Sequence, residues 1–131
     1  MAFSLVAGLV VAVLNMIVGF VWYGPLFSKL WMREVGLTEE EIGNGPGIGY
    51  LYTMVAAFIM GCVASFLVGL TGVTSVADGL VLGLLIGVGF VATSFATTYI
   101  FSKKSLKLYF IDVTYQVITI VLAGAVGVLV R

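Results

Sequence analysis

The sequence predicts an all-α membrane protein: a bundle of four transmembrane helices, with a short amphipathic helix at the interface between the first two. Three observations carry this. Of 131 residues, 62% are apolar and 9% charged, whereas a soluble domain is roughly half apolar and a quarter charged. Four apolar runs, Phe3–Tyr23, Ile48–Leu70, Gly79–Phe101 and Leu108–Val130, are 21, 23, 23 and 23 residues long. About 20 helical residues cross a hydrocarbon core of about 30 Å. Eleven of the twelve charged residues lie outside those runs.

Lipid offers no partners to backbone polar groups, so each run is expected to be a helix. Both prolines, Pro25 and Pro46, fall in the first connection. The first run has no Lys or Arg before it and no small-x-small site after it, so it reads as a retained helix and not a secretory signal. The four spans leave no room for a separate soluble domain.

After the first run, Leu26, Phe27, Leu30, Trp31 and Val35 recur at helical spacing, with Ser28, Lys29 and Arg33 elsewhere on the wheel. Pro25 suits the first position and Gly36 the stop. This predicts an interfacial helix over 26–35, with Trp22, Tyr23, Lys29, Trp31 and Arg33 as contacts to membrane lipid. Thr38-Glu39-Glu40-Glu41 fits a capping box. Its acids read as a solvated helix start in preference to a cation site. Gly43-Asn44-Gly45-Pro46-Gly47 reads as a flexible link; it lacks the Lys-Ser/Thr of a phosphate loop.

Small residues set the packing. Gly8, Ala12, Asn15 and Gly19 stripe the first helix, Ala57, Gly61, Ser65 and Gly69 the second, and Gly79, Gly83 and Gly87 the third. Such stripes let helices approach closely where lipid removes the hydrophobic drive. A stripe left over after packing within the bundle would serve a homodimer.

Basic residues set the orientation. Lys29, Arg33, Lys103, Lys104 and Lys107 lie in the two connections on one side, against Arg131 on the other. The positive-inside rule puts the five in the cytoplasm and both termini outside. Trp22, Tyr23, Trp31, Tyr50, Tyr52, Tyr99 and Tyr109 cluster at that same side as an aromatic belt.

Composition removes whole classes of chemistry. Six basic and six acidic residues cancel, so no net field recruits nucleic acid. Histidine is absent and Cys62 is the sole cysteine. No zinc site of the usual ligands, catalytic triad or cofactor motif is expected. An intramembrane enzyme would need a nucleophile with a base or a metal pair.

The functional candidates are polar groups at depth. Asp112 is the sole ionisable residue within a run, with Gln116 and Thr119 on its face and Tyr115 adjacent. With Thr93 and Thr97 of the third helix they would line a polar cavity near the cytoplasmic side, open to a small solute. The alternative for Asp112 is a helix-start carboxylate paired with Lys103, Lys104 or Lys107. Asn15 reads as an interhelical hydrogen bond, and the threonines as bonding to their own helix carbonyls.

The stretch Trp22-Tyr23-Gly24-Pro25-Leu26-Phe27-Ser28-Lys29-Leu30-Trp31-Met32, followed by Gly36-Leu37-Thr38-Glu39-Glu40, resembles the first half of a bacterial membrane family. That family is catalogued as domain of unknown function seventeen-sixty-one. Thr98-Tyr99-Ile100-Phe101, Leu106-Lys107-Leu108-Tyr109-Phe110-Ile111-Asp112 and Tyr115-Gln116-Val117 resemble its second half. The resemblance implies a four-helix integral protein of the bacterial inner membrane, with no established activity. Members often carry Asn and His where this chain has Thr98 and Gln116, which disfavours a proton relay here. A shared Tyr…Phe-Ser-Lys element, in Tyr23…Phe27-Ser28-Lys29 and Tyr99…Phe101-Ser102-Lys103, hints at two related hairpins.

Two functions remain: permeation or transport of a small solute, and a non-catalytic module binding a partner protein or lipid. Drug exporters of this size need a glutamate in the first helix, where this chain has Asn15. Four-helix fluoride channels insert in both orientations, which conflicts with the one-sided charge.

Overall fold

The computed structural model describes residues 3–36, 38, 40 and 48–130. The link over 43–47 and Arg131 lie outside them, as do Glu39 and Glu41 of the capping box; Thr38 and Glu40 are exposed.

The described residues include, in order, α1 (Leu5–Val21), α2 (Ser28–Val35), α3 (Ile48–Thr71), α4 (Val76–Ile86), α5 (Thr93–Phe101) and α6 (Leu106–Leu129). Two π-helical segments interrupt the series, Trp22–Leu26 after α1 and Gly87–Ala92 between α4 and α5. Four continuous stretches are long and apolar enough to cross a membrane: Leu5–Leu26, Ile48–Thr71, Val76–Phe101 and Leu106–Leu129. The predicted four-helix class stands, and the structure adds the π segments. Pro25 sits inside the first of them and not at the start of α2, whose first residue is Ser28. A wide turn tolerates a residue with no N–H better than a regular helix interior does. Gly36 ends α2 at φ 86°, as its position predicts.

Serines start three helices. The Ser4, Ser75 and Ser105 hydroxyls accept from the amides of Ala7, Asp78 and Leu108, filling donors that a helix start leaves unpaired. Ser4 does more: its hydroxyl donates to the Val130 carbonyl at 2.9 Å, and its amide donates to Ser65 Oγ at 2.9 Å. The start of α1 and the end of α6 are therefore side by side, and the spans alternate in direction. Lys29, Arg33, Lys103, Lys104 and Lys107 share the opposite end.

The hub is α6. Its apolar stretch is 56% buried, against 28%, 22% and 17% for the first three spans, and it packs on α1, α3 and α4. The stripes predicted from sequence pack the helices of the bundle on one another. A Cβ on Gly61 would lie 2.7 Å from the Ala7 carbonyl oxygen, and one on Gly83 would lie 2.6 Å from that of Ile120. Gly79 and Gly83 meet Gly124 of α6, while Gly127 packs on Ala64 and Val68 of α3; these small residues, with the buried Ala123 and Ala125, lie outside the predicted stripes. Ala57 and Ser65 are buried with Gly61, Gly69 is half-buried, and Gly87 packs against Val117. Ala7, Val11, Ala123 and Val126 form the core where α1 meets α6.

Candidate functional site

Asp112 stands on the second turn of α6, at the end of the bundle with the basic connections. Both carboxylate oxygens are taken. Tyr23 donates its hydroxyl to Oδ1 at 2.6 Å, and the Trp31 indole N–H donates to the same oxygen at 3.2 Å. The Tyr99 hydroxyl donates to Oδ2. The three donors come from three elements: the π turn after α1, the interfacial helix α2, and α5. Beside them the Trp22 indole donates to the Ile111 carbonyl at 2.8 Å. Hydrogen bonds to a charged acceptor are the stronger kind, and here they converge on one side chain from across the fold. Tyr23 and Tyr99, the tyrosines of the shared Tyr…Phe-Ser-Lys element, each hold one oxygen.

This differs from both sequence readings of Asp112. Among the described residues it makes no ion pair with Lys103, Lys104 or Lys107. Lys104 instead sets its ammonium 5.0 Å from the centre of the Tyr99 ring, a favourable place for a cation. Trp22, Tyr23 and Trp31 are half-buried, with their polar atoms turned onto α6, whereas Lys29 and Arg33 are exposed. Within the belt, Tyr50 and Tyr52 remain exposed, while Tyr109 donates to the Ala92 carbonyl at 2.7 Å. Hydropathy alone could not separate these groups, because an amphipathic ring suits an interface and a buried acceptor equally well.

A second polar contact lies one turn deeper. Tyr115 donates to Asn15 Oδ1 at 2.7 Å, the interhelical bond expected of Asn15. The Tyr23 and Tyr115 rings meet edge-on, with centroids 5.3 Å apart. Thr119 is buried and bonds back to the Tyr115 carbonyl at 3.0 Å. Gln116 is half-buried on the same helix.

Thr93 and Thr97 do not join this group. Both are exposed and bond back along their own helix, Thr93 to Gly89 and Phe90, Thr97 to Thr93. The cause is the π segment. A straight helix turns about 100° per residue, so the buried face of Gly79, Gly83 and Gly87 would continue through Phe90, Ser94, Thr97 and Phe101. All four are exposed, Phe90 at 71% and Phe101 at 83%. The π turns absorb one extra residue and bring Phe95 and Tyr99 round instead. A cavity of about 220 Å³ does lie between α3, the third span and α6. It is lined by apolar side chains such as Met60, Leu67, Leu82, Ile86, Val91 and Ile120, and by none of the predicted cavity residues.

Residues 6–128 match the model of the family described as Protein of unknown function (DUF1761), and the chain belongs to that family. No curated protein and no solved structure matches it.

Proposed function

We propose that this protein is a non-catalytic membrane module that holds the amphipathic helix α2 in fixed register at the membrane surface, where Lys29 and Arg33 meet lipid headgroups or a partner. The observation that carries this reading is the Asp112 carboxylate, both of whose oxygens accept hydrogen bonds from within the protein. Its three bonds tie three separate elements together, which is the work of a structural acceptor. We assign no catalysis to Asp112.

We further infer that the module sits in the bacterial cytoplasmic membrane with α2 facing the cytoplasm. Five of the six basic residues fall in the connections at the Asp112 end, which favours that orientation. Exposed cations on α2 favour anionic headgroups as its neighbours.

The test uses the reconstituted protein with Cys62→Ala, carrying a fluorophore at Val35→Cys. In vesicles containing phosphatidylglycerol, α2 is expected to stay at one depth, and Asp112→Asn is expected to release it. The same vesicles are expected to pass no more ions or small polar solutes than vesicles bearing Asp112→Asn. Flux that depends on Asp112 overturns the reading in favour of transport. A position of α2 indifferent to Asp112→Asn overturns it as well.

A further inference from the structure

The third span carries a device that the module reading does not use. Its π segment, Gly87–Ala92, holds one residue more than a regular helix needs at that length, and π turns of this kind mark places where helices change register. What keeps the surplus in place is visible. The Tyr109 hydroxyl bonds the Ala92 carbonyl, within the π segment, and the Tyr99 hydroxyl bonds Asp112. Beyond α5, Lys103 at φ 57° closes the helix in the usual left-handed cap, its amide bonding the Ile100 carbonyl and that of Lys104 the Tyr99 carbonyl. The present register is thus held by two tyrosine hydroxyls.

We propose that the segment Thr93–Phe101 has a second register, in which the π turns relax to α-helix and α5 rotates by about 100°. Phe95 and Tyr99 then leave α6, and Ser94 and Thr97 replace them. The exchange costs the span little in lipid. Ser94 and Thr97 are already exposed there, and Gly89 within the π segment faces open space, with nothing within 4 Å of where its Cβ would lie. In the second register Asp112 gives up the Tyr99 bond, while the hydroxyls of α5 face the side of α6 that carries Asp112 and the half-buried Gln116. The bundle would thereby exchange an aromatic clasp for a polar stripe. This goes beyond the module reading and does not depend on it, since the register is read by a probe on α5 and the module by flux and by a probe on α2.

The experiment places a nitroxide at Thr97→Cys, or at Phe95→Cys, in the reconstituted Cys62→Ala protein and measures collision with oxygen, which concentrates in lipid. At position 97 the expected signal is a dominant lipid-exposed component with a minor immobilised one. Tyr99→Phe and Tyr109→Phe should each raise the immobilised fraction at 97 relative to the exposed one by about fivefold, the weight of one net hydrogen bond. Removing Gly89 should leave only the immobilised component at 97 and expose position 95. A single lipid-exposed component at 97 in the parent and in both tyrosine variants overturns the proposal. So does a folded Gly89 deletion that keeps 97 in lipid. Should that deletion fail to fold, the two tyrosine variants decide the matter alone.

Discussion

At the end where Ser4 meets Val130, the helices approach until backbone touches backbone, with Gly83 against Ile120 and Gly61 against Ala7. At the other end they stand further apart, and aromatic side chains bridge them to Asp112. Both arrangements answer one problem. In lipid, apolar surface gains little by leaving its surroundings, so helices must be joined by close contact or by directional bonds. Close contact holds one geometry with nothing to release, because a displaced glycine face has no substitute partner. A clasp of hydroxyls and an indole can open one bond at a time. The end built on glycine is the frame, and the end built on aromatics is the one that the proposed change of register would move.

This contrast can be broken by substitutions at either end, followed by denaturation with sodium dodecyl sulfate in mixed micelles and far-ultraviolet circular dichroism. Gly124→Ala should do most damage. Its new methyl runs into the Gly79 carbonyl, a backbone atom that cannot turn aside, and overpacking of this sort costs about 3 kcal/mol or more. A mild effect there would remove the frame from the comparison. Asp112→Leu comes next, at about 2–3 kcal/mol, because it leaves three donors without their shared acceptor. If it cost less than a single tyrosine hydroxyl elsewhere, the clasp would not be holding that end. Tyr115→Phe removes one interhelical bond to Asn15 and should cost about 0.6–1 kcal/mol, the usual worth of such a bond in a membrane. Thr97→Val, on the lipid face, should change stability by less than about 0.5 kcal/mol. A larger loss would mean that Thr97 packs inward in the ground state.

Much of the frame was legible in the sequence because its signals are local. A span shows itself as a long uncharged run, and close packing shows itself as Gly61 or Gly83 repeating every four residues. The small residues of α6 escaped because Ala123, Gly124, Ala125 and Gly127 run together, so the four-residue step from Ala123 to Gly127 does not stand out. The clasp was legible in half of its parts. Asp112 stood out as the one acid in a span, but its partners were read as a belt facing lipid. Tyr23, Trp31 and Tyr99 come from far along the chain, and nothing in their spacing points to a common acceptor. Thr97 was assigned to the wrong face for a narrower reason. Helical spacing assumes 3.6 residues per turn, and no proline or charge in Gly87–Ala92 announces that the count changes there.

The clasp has one practical consequence. The chain's two tryptophans, Trp22 and Trp31, donate their indoles to adjacent residues of α6, the Ile111 carbonyl and the Asp112 carboxylate. The molecule therefore comes with its own optical gauge. Light absorbed and re-emitted by those two rings arises at the junction that would loosen first, so its colour and intensity can follow that junction in unlabelled protein.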